Sequence, residues 1–265
     1  MNRYYLPCEN LDLDQIANSG QCFRWFQEPI DKILGRWRFY IADRPAVAWH
    51  ERNNYQDVII VDTDAQKFDV LYYFDVTTDY EDIINQIPVP EQDTYLQAAA
   101  ELFSGVRILR QNIWEVFISF IISQNNNIPR IKKSIDMLCA DNAGQFPQSS
   151  DLLSMNLDKY GLGYRKAYIE DWLRSNKPYA SNSLIDYRDA FEYYQSFKGI
   201  GPKIANCICL FGLHYLEACP VDTWMRRTID NRYGGQIPTC MYSKYAGVYQ
   251  QYCFCYERYL SGRDK

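Results

Sequence analysis

Up to about Tyr72 the apolar positions come in short runs, and beyond it they recur at helical spacing. Runs at 36–42, 46–50 and 58–61 are rich in β-branched and aromatic residues and are separated by turn formers, Asn53-Asn54 and 62–64 among them, which predicts an antiparallel sheet. The stretch Ser19-Gly20-Gln21-Cys22-Phe23-Arg24-Trp25 combines a flexible glycine with aromatic and basic residues and is expected to start a strand. Helices are expected over 79–87, 94–103, 112–123, 129–139, 187–197, 203–213 and 242–260. The 112–123 run is apolar almost throughout, as a buried central helix requires. Tyr245, Val248, Tyr249, Tyr252 and Tyr256 share one helical face and read as core packing. The proline pair Pro88 and Pro90 marks the expected domain boundary, giving a β domain over 1–90 and a helical domain over 91–265.

The chemistry-bearing stretch is FKGIGPKIANCICLFGLHYLEACPVDTWMRR, residues 197–227. Gly199-Ile200-Gly201 reads as a tight turn between two helices, and Pro202 suits the first helical position, where no N–H is missed. The following helix presents its unpaired N–H groups and positive dipole end, an arrangement suited to a phosphate, with Lys203 beside it. Pro220-Val221-Asp222-Thr223 reads as an extended approach ending in an N-cap at Asp222. An amine beside an anion site and a capping carboxylate form a plausible pair for attack on a sugar carbon next to a nucleic-acid backbone. A glycine turn alone is often only a turn.

Composition narrows the partners. With 47% hydrophobic residues the chain can build a sizeable core, and its net charge of −5 argues against a generic polyanion binder. Any nucleic-acid contact must then come from local basic faces, for which Arg107, Arg110, Arg130, Lys132 and Lys133 form one candidate group and Lys198, Lys203, Arg226, Arg227 and Arg232 another. Nine cysteines, an odd number, without an opening secretion signal or a membrane-length apolar run, lead us to expect a reduced protein of the cytoplasm, or of the nucleus in a eukaryote. Cys219, Cys240, Cys253 and Cys255 are too irregularly spaced for an iron–sulfur signature, and only two histidines are present, so no metal and no cofactor is expected.

Two further stretches suit nucleic acid. Gln124-Asn125-Asn126-Asn127 ends the apolar helix and serves either to cap and turn or to present amides to base edges. Leu162-Gly163-Tyr164-Arg165-Lys166 is either an ordinary helix start or an aromatic wedge with cations beside it.

The 197–227 stretch resembles the helix-hairpin-helix motif of DNA base-excision glycosylases, with Cys219 where that motif's loop has glycine. The motifs SGQCFRW, YYFDVT, GVRILRQ, SQNNNIPRI, GLGYR and YAGVYQQYCF, in this order, make the chain similar to the 8-oxoguanine DNA glycosylase/AP lyases over most of its length. The resemblance implies an α+β fold, with an N-terminal antiparallel sheet of the TATA-binding-protein-like kind followed by a mainly helical domain. It implies excision of 8-oxoguanine opposite cytosine from double-stranded DNA by a monomer, without a membrane. Lys203 would be the nucleophile and Asp222 its electrostatic partner. Gly20 would accept the N7 hydrogen of the oxidised base, Cys207 and Phe254 would sandwich that base, and Gln250 would bond its Watson–Crick edge. Asn125, Arg130 and Arg165 would hold the orphaned cytosine with Tyr164 wedged beside it, and Gly199 and Gly201 would shape the phosphate-binding hairpin. Trp224 stands where many relatives carry a phosphate-contacting histidine. The rival readings are a glycosylase of the same superfamily for another damaged base, and a DNA-binding module without chemistry.

Overall fold

Alternating burial builds the sheet. In the computed structural model, which describes residues 1–28, 35–52, 57–87, 93–175, 177–178 and 186–262, five strands lie in the order β1-β5-β4-β3-β2, all neighbours antiparallel. They are β1 (Asn2–Pro7), β2 (Phe26–Gln27), β3 (Trp37–Ile41), β4 (Arg44–Arg52) and β5 (Asp57–Thr63). Trp37, Phe39 and Ile41 point to one face with Ala46, Ala48, Ile59 and Val61 from the neighbouring strands, as the period of two dictates. That face is covered by α1 (Leu13–Asn18) and α2 (Lys67–Tyr73), and Trp25 stacks on Phe39 at 4.2 Å within it.

The remainder is helical: α3 (Tyr80–Asn85), α4 (Thr94–Leu102), α5 (Ile113–Ser123), α6 (Ile128–Ala140), α7 (Ser149–Ser154), α8 (Arg165–Ser175), α9 (Tyr187–Gln195), α10 (Pro202–Phe211), α11 (Thr223–Arg232) and α12 (Ala246–Leu260). Helix α5 is the central one, buried from Val116 to Ile122 and started by Asn112, whose side chain accepts from the N–H groups of Trp114 and Glu115. Phe211 of α10 stacks on its Phe120 at 5.4 Å. Helix α12 closes onto α10 at Gly247, where a Cβ would lie 2.5 Å from Leu210. Val248, Tyr249 and Tyr252 of the aromatic stripe are buried in the helical core, with Tyr245 and Tyr256 packed against it.

Several features differ from the sequence expectation. Residues 19–25 are loop, and the strand starts only at Phe26. The reason is Gln21, whose buried side chain donates to Ser19 Oγ and the Arg107 carbonyl, both at 2.8 Å, and accepts from the Leu109 N–H. These bonds fasten the loop to the helical half instead of to a strand. Arg107, read as part of a basic face, is buried; its guanidinium donates to the carbonyls of Glu9, Asn10 and Asp75 and lies 4.7 Å from the ring centre of Tyr80. Its charge therefore clamps the two halves together and is not offered to a polyanion. The two hydrophobic clusters separate between Phe74 and Tyr80, so α3 packs with the helical core. The Pro88–Pro90 boundary and the Asn53-Asn54 turn lie outside the described residues, while Asp62 and Thr63, read as turn formers, extend β5.

Candidate active site

Gly199 takes φ +82°, and a Cβ there would sit 2.6 Å from the ring of Tyr168, so the hairpin both turns left-handed and seats itself on an aromatic. Gly201, the N-cap of α10, faces open space: no atom lies within 4 Å of the position its Cβ would take. An approaching phosphate thus meets the first-turn N–H groups of α10 without a side chain in the way.

Lys203 stands one turn into that helix end. It is half-buried, with Nζ 5.5 Å from the centre of the Phe120 ring, and its charge lowers the pKa of the Cys207 thiol. Asp222 caps α11 by accepting the Met225 N–H at 2.8 Å. Burial raises its pKa, and the cap bonds and the Lys203 ammonium pull the other way without prevailing. Burial pushes the Cys207 thiol up to about 11, with Lys203 lowering it and Asp222 raising it. The three groups are therefore electrostatic neighbours, with Lys203 over the Phe120 ring of α5, although Asp222 caps a different helix.

Phe23 meets the same Phe120 ring at 5.5 Å, which carries the 19–25 loop to the site. Gly20 takes φ +75° there, and its Cβ position lies 3.3 Å from the ring of Phe254 and 3.9 Å from Ile128. Any side chain would strain the backbone and push into Phe254. Gln250, one turn before Phe254 on α12, is buried and accepts from the Gln251 side chain at 2.9 Å. The Arg258 guanidinium lies 5.5 Å from the Phe254 ring centre and donates to the Asn18 carbonyl, fastening α12 to the end of α1.

The polar loop forms a second region. Asn125 is exposed and left-handed at φ +44°, and Arg130 is exposed and reaches the Gly161 carbonyl at 3.4 Å. Arg165 is buried and spends its guanidinium on backbone: it donates to the carbonyls of Gln124, of Asn125 at 2.7 Å and of Leu162 at 3.1 Å. Tyr164, 49% exposed, projects beside it and packs edge-on against Tyr168 at 5.7 Å, which in turn underlies Gly199. Tyr164 and the hairpin thus rest on one aromatic. Trp224 is half-buried under the Arg227 guanidinium, 5.5 Å from its ring centre.

Sequence reasoning missed Phe120, Tyr168, Gln251 and Arg258. Only Tyr168 carried a signal, its helical spacing from Tyr164; the others are ordinary residues made relevant by packing.

Comparison with known proteins agrees with the fold. Residues 3–117 match the model of the 8-oxoguanine DNA glycosylase N-terminal domain. The N-glycosylase/DNA lyase of Saccharomyces cerevisiae is 28% identical over 260 residues, covering 84% of this chain and 68% of that protein. A solved complex of MBOgg1 with a low-affinity DNA ligand superimposes with a TM-score of 0.83 at 26% identity, covering 98% of this chain and 97% of that one. The Clostridium acetobutylicum 8-oxoguanine glycosylase/lyase, solved with double-stranded DNA containing cytosine opposite 8-oxoguanine, gives 0.81 at 25% identity, covering 96% of this chain and 93% of that one. No described helix is long and apolar enough to cross a membrane. The N-terminal domain match and the full-length structural likeness agree with the lysine-bearing hairpin: this chain is similar over nearly its whole length to the 8-oxoguanine DNA glycosylase/lyases.

Proposed function

We propose that the chain is a bifunctional glycosylase/lyase that extrudes 8-oxoguanine from duplex DNA, preferentially opposite cytosine, and removes it through a Schiff base on Lys203. The observation that carries the reading is the meeting of Lys203, Cys207 and Asp222, with Lys203 over the Phe120 ring that the Gly20 loop also reaches.

A base within the stack hides its sugar carbon, so the nucleotide must rotate out, at a cost of a few kcal/mol. Phosphate contacts at the α10 N-terminus and insertion of Tyr164 offset that cost. The extruded base enters between Cys207 and Phe254. The Gly20 carbonyl, which accepts no hydrogen bond among the described residues, takes the N7 hydrogen that unoxidised guanine lacks. Gln250 bonds the Watson–Crick edge. Neutral Lys203 attacks C1′ as the bond to the base breaks, and ionised Asp222 stabilises the positive charge developing on the sugar. Ring opening gives the Schiff base, and loss of the C2′ proton then expels the 3′ phosphate by β-elimination. On the other strand, Arg130 and Asn125 face the cytosine, and Arg165 holds their loop in shape and turns donors to the base once it arrives.

The test is single-turnover excision from duplexes carrying 8-oxoguanine opposite each of the four bases, with an alkylated and a reduced base in parallel. A mismatched contact costs about 1–3 kcal/mol, so cytosine should be preferred by roughly ten- to a hundredfold. Equal excision opposite all four bases would overturn the opposite-base assignment, and faster removal of one of the other lesions would overturn the substrate.

A further inference from the structure

At one end of the sheet, on strands rather than on the hairpin helices, three neighbouring strands bring a thiol, an imidazole and a carboxylate together. Cys8 follows β1 directly, His50 lies in β4 and Asp57 opens β5. Pro7 pairs with Val58, and His50 pairs with Ile59, two residues along the strand from Asp57. His50 and Asp57 are thus diagonal neighbours on one face, and Cys8 continues the register beside Asp57. The Cys8 thiol donates to the Asp57 carbonyl at 3.1 Å, and the His50 ring Nε2 bonds Asp57 Oδ1. Sulfur, ring nitrogen and carboxylate oxygen all lie within 4.8 Å of one another, the one such group among the described residues.

We propose that Cys8, His50 and Asp57 bind a divalent transition ion of the zinc class, at a site separate from the glycosylase chemistry. The donor set suits that class: a soft sulfur and an imidazole favour zinc over magnesium or calcium, and a carboxylate completes three protein ligands with one position left for water. Bonds of about 2.0–2.3 Å in a tetrahedron place ligand atoms about 3.3–3.8 Å apart, so side-chain rotation alone gathers this cluster. The platform is rigid, because the backbones around it are paired in the sheet. Cys8 and Cys219 are the two cysteines that are not buried, which leaves Cys8 open to an ion from solvent.

On binding a dication, the Cys8 thiol would lose its proton to solvent. Without an ion, Asp57 is shared between His50 and Arg52, whose Nε lies 3.3 Å from Oδ2. Sequence spacing conceals the site, since Cys8 meets the other two only through strand register. Past Cys8 the chain reaches Glu9 and Asn10, whose carbonyls hold Arg107, so an ion here would tie the sheet end to the clamp between the halves.

The untagged, reduced full-length protein should be titrated with Co²⁺ and then Zn²⁺ in the absence of DNA. A single equivalent of Co²⁺ should give a thiolate-to-cobalt charge-transfer band with tetrahedral d–d absorption, both removed by Zn²⁺, and Zn²⁺ should raise the melting temperature. Cys8→Ser should abolish the charge-transfer band and the thermal shift. His50→Gln should weaken binding by more than about tenfold, the least that even outer-shell changes cost. Arg52→Gln should tighten it by freeing Asp57, and Cys219→Ser should leave everything unchanged. Excision by Cys8→Ser should equal wild type, which separates this site from the Lys203 assignment. Absence of a band at one equivalent, or a band that survives Cys8→Ser and is lost in Cys219→Ser, would overturn the site.

Discussion

The proposed lesion side and the proposed opposite-base side are built on different physical terms. On the lesion side, Cys207, Gln250 and the contact of Gly20 with Phe254 are drawn from three distant segments and held by apolar burial. On the opposite-base side, Asn125, Arg130 and Tyr164 are exposed on two loops, kept in shape by one buried guanidinium spent on carbonyls. A pocket that must exclude water and strengthen charge interactions gains from burial, whereas a surface that reads a base still in its strand must be rigid yet wet. Asp222 shows the cost of the first solution. Its carboxylate is desolvated enough to raise its pKa despite the N-cap bond and the nearby ammonium.

The sharpest way to break the contrast is Asp222→Asn. Asparagine caps a helix as well as aspartate does, so α11 should persist while the negative charge disappears. Single-turnover excision should fall by about a hundred- to a thousandfold, the range for losing one preorganised electrostatic group. Stability should move the other way. A carboxyl whose folded pKa is raised binds its proton more tightly in the native state, so its contribution is favourable below the ordinary aspartate range and is lost as pH rises through the folded value. At neutral pH wild type therefore carries the penalty of the buried charge, and the variant should melt higher. A variant that melts lower at neutral pH with activity retained would remove the electrostatic role.

A smaller effect sharpens the other side. Arg165→Met removes the guanidinium from the Gln124, Asn125 and Leu162 carbonyls, of which Gln124 keeps the Tyr164 hydroxyl and Leu162 the residue-165 N–H, which should cost about 1–3 kcal/mol of stability. It should also blur the preference for cytosine by about tenfold. Arg130→Met, at an exposed position, should blur that preference equally while changing stability by less than about 0.5 kcal/mol. Denaturant unfolding together with excision opposite cytosine and adenine separates the two. Equal stability losses would mean that Arg165 does not organise the loop.

The same contrast governs what the sequence could reveal. Asn125, Arg130, Tyr164 and Arg165 sit in polar stretches that interrupt apolar helices, and the turn, cap and proline signals around 199–203 and at 222 translate directly into α10 and α11. Cys207 and Gln250 carry no comparable signal, since a buried cysteine or glutamine in an apolar helix looks like core; only the family resemblance singled them out. The loop at 19–25 misled for a tertiary reason, because Gln21 draws its hydrogen bonds from Arg107 and Leu109, far along the chain. Arg107 misled likewise, its charge being consumed by carbonyls at the interface between the two halves. Strands β1 and β2 escaped the sequence reading because each is short or at a sheet edge, where alternation is weak.

The central claim is that Lys203 carries the covalent chemistry, and borohydride trapping tests it most directly. Wild-type protein incubated with a duplex containing 8-oxoguanine opposite cytosine and reduced during turnover should yield a stable protein–DNA adduct, with the modified peptide mapping to Lys203. Lys203→Gln should bind the duplex yet give no adduct, because an amide cannot form an imine. An adduct that persists undiminished in Lys203→Gln, or that maps in wild type to another amine, would contradict the account.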